Sequence, residues 1–445
     1  MTARIRRSPY GRAPVPGCGR AGYARNVPEA SPSSFRVLIA GGGVAGLEAV
    51  LALRELLSDR VEVTVITPER EFVYRPMAVG SPFGRGHAQR HRLAEIADQL
   101  GVRLVVDRLQ RVDDEARTAV TATDERLTYD ALIVAVGAAS EPAFERVTTW
   151  TPEADADVYG GLLADFEEGY SKQLTFVIPD EQYWPLPAYE LALMTAWDLD
   201  AMGQGDVDIS VYTPEPAPLA MFGPSGSAAL VADLDEAGVR VHTSTHVSAS
   251  DAGHLVANPG AQDLSGQRVV ALPRAIGKPI QGVSVDERGF VLTDRFGSVP
   301  DTDAVWAAGD ATAFPIKQGG LAAQQADVVA RAIAARAGAD VEPQPFRPVL
   351  RGVLLTGRGR AWMRHDLGAE TDADTADRHA LFWPPTKIAG RYLSPYLASL
   401  DETRERGAGV EPSGELVDID LESRVPAVAD LECSLDRWTN EGGHP

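Results

Sequence analysis

Arg36-Val37-Leu38-Ile39-Ala40 runs directly into Gly41-Gly42-Gly43-Val44-Ala45-Gly46, then into the helical run Leu47 to Leu57 and the β-branched run Val61-Glu62-Val63-Thr64-Val65-Ile66. Thr67-Pro68-Glu69 closes the stretch. A strand-length apolar run, a G-x-G-x-x-G turn, a helix and a second strand make a complete βαβ unit with a dinucleotide-binding fingerprint. Each glycine has a physical task. Gly41 permits the tight turn, Gly43 lets the backbone approach a pyrophosphate, and Gly46 lets the helix pack closely on the strand. Val44 and Ala45 open the helix, whose free N–H groups and positive dipole end suit phosphate.

Composition narrows the class. The chain has 445 residues, enough for about three domains; 44% are hydrophobic and 24% charged, as expected of a globular protein with ample core. A net charge of -21 argues against a nucleic-acid partner and against electrostatic docking on an anionic membrane. Cys18 and Cys433 stand near opposite ends of the chain, which excludes a disulfide framework or a cysteine metal site. Residues 1–34 are rich in Arg, Gly and Pro and read as a disordered basic tail or an over-called start. Arg6-Arg7 lacks the apolar stretch that an export signal needs.

Downstream of the fingerprint, Arg75 and Pro76 lie on a loop expected to cross a bound cofactor. His87 and His91 have i,i+4 spacing, but Arg85, Arg90 and Arg92 surround them, so they read as solvated or phosphate-facing. The strand from Tyr129 to Gly137 brings Ala135 and Gly137 to the cofactor end. A second copy follows: strand Leu174 to Ile178, helix Ala188 to Leu199, and strand Val207 to Tyr212 ending in Thr213-Pro214-Glu215. Glu48 and Glu190 fall early in the two corresponding helices, so the chain contains an internal duplication. The second turn, Pro179 to Pro187, has no glycine and carries Asp180 and Glu181, which would repel a pyrophosphate. His242 and His246 are spaced too widely along a strand to share a metal. No metal site is expected.

Near the C-terminus, Val305-Trp306-Ala307-Ala308-Gly309-Asp310 reads as a strand delivering a carboxylate to a ribityl hydroxyl, and Lys317 and Gly320 precede an Ala-rich helix. Ile388, Tyr392, Leu393, Tyr396, Leu397 and Leu400 recur at helical spacing, predicting a helix over Lys387 to Leu400 packed on its own domain. An acidic tail follows Asp401.

With these residues in hand, the chain resembles the two-dinucleotide-domain flavoproteins of the pyridine nucleotide–disulfide oxidoreductase superfamily. Within it the chain is most similar to the branch of sulfide:quinone reductases and type II NADH dehydrogenases. Trp184-Pro185-Leu186-Pro187-Ala188-Tyr189-Glu190 is similar to the C-x-G-P-A-Y-E element of the sulfide enzymes, and Pro315-Ile316-Lys317-Gln318-Gly319 to their Pro-x-Lys-x-Gly turn. The resemblance implies an α/β fold: two Rossmann-like, doubly wound parallel-sheet domains plus a small C-terminal domain. It divides the chain into a tail (1–34), an FAD-binding domain in two parts (35–150 and 291–344), a second Rossmann-like domain with a degenerate NAD site (151–290), a C-terminal domain (345–400) and an acidic tail (401–445).

FAD is the implied cofactor. Gly41, Gly43, Val44, Ala45, Gly46, Thr67, Glu69, Arg75, Pro76, Ala135, Gly137, Gly309, Asp310, Lys317 and Gly320 are its expected contacts, with Lys317 and Trp184 at the reacting end. Tyr183, Trp184 and Pro185 are expected to wall the flavin, with Trp383 and Tyr396 on the far side. The implied partners are a small-molecule electron donor and a quinone-like acceptor. Further expectations are peripheral membrane contact through the C-terminal segment, a homodimer and a cytoplasmic location. The departures are informative: Trp184 stands where the sulfide enzymes have cysteine, and Thr67 where an acid would meet the ribose. Leu321-Ala322-Ala323-Gln324-Gln325 keeps the end of a quinone-associated run, with Gly320 in place of its first glutamine. An NADH dehydrogenase with unusual nicotinamide binding and a non-catalytic flavin sensor remain alternatives.

Overall fold

Runs of β-branched and aliphatic residues alternating with helices fold into two parallel sheets, because helices on both faces bury each strand from two sides. The computed structural model describes residues 34–152, 156–169, 171–179, 184–250, 254–367 and 373–407. In the first sheet the strand order is Val305–Ala307, Ala131–Val134, Phe35–Ala40, Val61–Ile66, Arg103–Val105, every pair parallel. In the second it is Thr148–Thr149, Arg268–Ala271, Gln173–Val177, Asp208–Tyr212, Arg240–His242, again all parallel. The two orders match strand for strand around the expected βαβ units. The α/β class and the doubly wound sheets read from the sequence are therefore present.

Packing follows the pattern. Ala131, Leu132, Ile133 and Val134 are all fully buried, as a strand covered on both faces must be. The fingerprint helix Val44–Leu57 packs against Gly319–Arg336, and their small residues Ala49, Ala52, Ala326 and Ala330 allow close approach in one core. A second core gathers around the helix Leu186–Ala201. A smaller antiparallel sheet, Val349–Leu355 with Arg360–Asp366 and Asp374–Asp377, adds the C-terminal part.

The last helix departs from the expected span. It runs Leu393–Gly407, and Lys387 to Tyr392 precede it in non-helical form. Pro395 explains the shift: it fits the first turn of a helix that starts at Leu393, but would clash inside one that starts at Lys387. Leu393 and Leu397 pack with Leu47, Phe72 and Ile96, so the helix does lie on the first half. Cys18, Cys433, residues 1–33, Asp180 to Tyr183 and the acidic stretch 408–445 lie outside the described residues.

Candidate functional site

A cavity of about 650 Å³ opens at the carboxyl ends of the first sheet's strands, the position where open parallel sheets bind ligands. Its size falls in the range of roughly 300–1,000 Å³ common to cofactor sites. Gly41, Gly43, Val44, Ala45, Glu69, Arg75, Pro76, Ala135, Gly137, Gly309, Asp310, Lys317 and Trp184 all line it. Residues from four distant parts of the sequence thus converge on one space.

The glycines behave as their spacing predicts. Gly41 has φ +125°, and a Cβ there would sit 2.0 Å from the Ala135 carbonyl oxygen. A Cβ on Gly46 would sit 2.0 Å from the Gly41 carbonyl oxygen, so the helix could not close on the turn. Around Gly43 there is open space, which leaves its backbone bare to the cavity. Gly46 and Gly320 therefore shape the site from beneath and do not line it; a Cβ on Gly320 would meet the Gln318 side chain. Thr67 is fully buried and also lies behind the wall. Its hydroxyl donates to Glu69 Oε2 at 2.6 Å, holding the Glu69 carboxylate where the second strand ends.

Opposite the glycine turn, Gly309 has φ +78° and its N–H donates to Gln325 Oε1 at 2.7 Å. That bond fixes the short turn carrying Asp310, whose carboxyl is raised by burial and lowered by Lys317, Lys278 and Arg75. The Lys317 ammonium donates to the Thr312 and Phe314 carbonyls at 2.5 and 2.9 Å and lies 3.7 Å from the Phe290 ring centroid. Burial lowers its pKa to about 8 despite the opposing pull of Asp310. Lys278, not anticipated from the sequence, lines the same cavity and donates to the Val136 carbonyl at 2.9 Å. Bare glycine backbone at a helix start, a buried carboxylate and several cations are a donor and acceptor set that fits a dinucleotide.

The second half supplies the remaining wall. Trp184, Leu186 and Pro187 line the cavity, Trp184 packing edge-on to Phe222 at 5.8 Å between ring centroids; Pro185 is buried behind them. Glu190 and Lys387, also lining, form a buried ion pair with the ammonium 2.5 and 2.6 Å from the two carboxylate oxygens. Neither is among the individual FAD contacts expected from the sequence, although Glu190 ends the element likened to C-x-G-P-A-Y-E. Glu190 was legible as a repeat of Glu48, but its partner 197 residues away was not.

Three expectations about side chains need correction. Trp383 is 77% exposed, and Tyr396 donates its hydroxyl to Gln99 at 2.7 Å, so neither forms the far side of the cavity; Lys387 and Ile388 do. His91 is neither solvated nor phosphate-facing: it is 1% exposed, on the strand Gln89–Arg92, with its ring 6.1 Å from Phe72. The alternation of that strand turns it inward while Arg90 and Arg92 turn out. Gln324 and Gln325 stand behind the wall, bonded to backbone groups of Gly320, Val349 and Gly309. No helix among the described residues is long and apolar enough to cross a membrane.

Two matched parallel sheets with a glycine-turn cavity define the architecture of the two-dinucleotide-domain flavoproteins. Residues 35–153 match the family model described as pyridine nucleotide-disulphide oxidoreductase. FAD, the cofactor expected from the sequence, is the one that goes with this family and fold. A curated relative, sulfide-quinone reductase of Aquifex aeolicus (strain VF5), is 27% identical over 210 residues, 44% of this chain and 48% of the relative. The match therefore spans about half the length of that protein. Among solved structures, the sulfide:quinone oxidoreductase of Aquifex aeolicus superposes with a TM-score of 0.70 at 20% identity, over 85% of this chain and 93% of that one. A ferredoxin reductase from Rhodopseudomonas palustris gives 0.54 at 19% identity, over 74% and 82%. Both are similar in fold.

Proposed function

We propose that this protein is an FAD-dependent oxidoreductase that passes electrons from a small-molecule donor to a quinone-like acceptor. The observation that carries the reading is the convergence of Gly41 to Gly43, Asp310 and Lys317 on one cavity whose other wall is Trp184, Pro187 and Ile388. FAD, when bound, supplies the redox chemistry, which needs no protein nucleophile. Gly43, Val44 and Ala45 offer backbone N–H groups to its pyrophosphate, Gly41, Gly46 and Thr67 support that turn, the Gly41 N–H being held by the Ile66 carbonyl, and Glu69 offers a carboxylate to a ribose. Arg75, Pro76, Ala135 and Gly137 form the sides. Asp310 accepts from the ribityl hydroxyls, Gly309 makes the turn that presents it, and Gly320 lets the helix start close by.

Lys317 holds a positive charge in a partly desolvated place, where it favours added negative charge far more than in water. Trp184 presents an apolar face that excludes water and suits a planar acceptor. The similarity to a sulfide-quinone reductase supports a quinone-like acceptor. Sulfide is not proposed as donor, since no cysteine lies between Cys18 and Cys433. The test is an anaerobic titration of the yellow protein with NADH, NADPH, sulfide and quinols. Exchange of electrons with quinols supports the reading. Rapid bleaching by NADH would move the protein to the NADH dehydrogenases, and a colourless protein that FAD does not reconstitute would overturn the proposal.

A further inference from the structure

Glu48 and Glu190 are the fifth residues of their helices, counting from Val44 and from Leu186, and so occupy equivalent places in the two copies of the duplicated unit. Both are buried, at 0% and 1% exposure. A carboxylate at such a position must find strong donors, because desolvation without them is costly. Both find them in the same short segment. Glu190 takes the Lys387 ammonium. Glu48 Oε1 accepts from the Tyr392 N–H and Oε2 from the Leu393 N–H, each at 2.8 Å. The residues between are held as tightly: the Ile388 N–H donates to the Tyr74 hydroxyl at 3.1 Å, and Ser394 Oγ donates to the Ile388 carbonyl at 2.7 Å.

We propose that Lys387–Leu393 is a strap clamped at one end by each half of the molecule, and that Glu48 is a positioning residue that sets Lys387 and Ile388 against the cofactor cavity. Glu48 does not line that cavity; Lys387 and Ile388 do. Its two bonds reach the amide of Leu393, first residue of the helix Leu393–Gly407, and that of Tyr392 just before it, where a negative charge also favours the helix dipole. Tolerances on both sides are small. A Cβ on Gly390 would sit 2.6 Å from Glu48 Oε2, and a Cβ on Gly319 would sit 2.6 Å from Ile388 Cδ1. Because one clamp belongs to each half, the strap is seated only when both halves are in place. The carboxylates repeated by duplication therefore serve neither copy's phosphate turn: they anchor the segment that closes the wall between them. The effect on the cofactor rests on the function proposed above; the clamp itself does not.

The experiment uses the full chain, with and without FAD, and reads amide hydrogen exchange by segment. Glu48→Gln keeps one acceptor and loses the other. We expect exchange over residues 387–393 to quicken about tenfold, given the strength of hydrogen bonds to a buried carboxylate, with little change in the two sheets. Gly390→Ala should do the same from the opposite side of that contact. In both variants the absorption bands of bound flavin should shift. Exchange unchanged over 387–393, or quickened evenly throughout the chain, would overturn the clamp; local release with an unaltered flavin spectrum would overturn the positioning role. Failure to bind FAD at all would count against the proposed function, while the exchange data would still decide on the clamp.

Discussion

The two halves end their second strands in the same tripeptide, Thr67-Pro68-Glu69 and Thr213-Pro214-Glu215, and build the same local turn from it. In each the threonine hydroxyl donates to the glutamate, at 2.6 and 2.9 Å, and accepts from the glutamate N–H. The difference lies in what the carboxylate faces. Glu69 lines the large cavity. Glu215 instead accepts from the Tyr189 hydroxyl at 2.7 Å, and burial raises its pKa while that hydroxyl lowers it. In the second copy an internal tyrosine provides the hydroxyl that a ribose would offer in the first. A duplicated fold can thus keep the geometry of a binding turn while satisfying it from within.

The steepest way to break this contrast is at the glycines. Gly46→Val should abolish FAD retention in the first half and cost about 1–3 kcal/mol or more through overpacking against the Gly41 carbonyl. Absorbance of the purified protein and its denaturation midpoint read both effects; a yellow, fully stable variant would remove the fingerprint from the argument. Next in size is Tyr189→Phe, which leaves the half-buried Glu215 short of a donor. Its expected cost is about 1–3 kcal/mol, with FAD retained and no gain of NADH binding, because the second turn still lacks glycine. If NADH binding appeared, the tyrosine alone would be what separates the halves.

Lys317 gives a pH test confined to the first half. Its folded pKa of about 8 lies below the ordinary lysine value of 10.5. Between those pH values the unfolded chain binds the extra proton, so this residue makes stability rise as pH increases through the window. Lys317→Met should flatten that rise in the FAD-free protein, as followed by chemical denaturation at a series of pH values; an unchanged slope contradicts the assignment. In the flavoprotein Lys317→Ala should lower the reduction potential at neutral pH, measured by dye equilibration. The smallest effect is expected from Glu69→Gln, a few-fold loss of FAD affinity for one weakened hydrogen bond. Titration calorimetry reads it, and an affinity equal to the parent's would detach Glu69 from the ribose.

What was legible in the sequence was what is local. Period, turn glycines and the repeated tripeptide fall within runs of about thirty residues, and they located both sheets and the cavity floor. Long-range choices were not legible. Nothing near Lys387 signals that its partner is Glu190, and the apolar spacing of Ile388 and Tyr392 mimics a helix that Pro395 forbids. His91 was misread because charged neighbours suggested exposure, although strand alternation sends it to the opposite face.

The last strand of the first sheet, Val305–Ala307, pairs with Ala131–Val134 only after the chain has passed through the whole second sheet. On a ribosome, the first half therefore waits with an open apolar edge until residue 307 has emerged. Exposed strand edges of this kind invite pairing with other chains, and the interval in which the nascent protein is vulnerable runs from residue 134 to residue 307. Truncations within the second half are accordingly expected to aggregate as they are made, whatever they retain of the fingerprint.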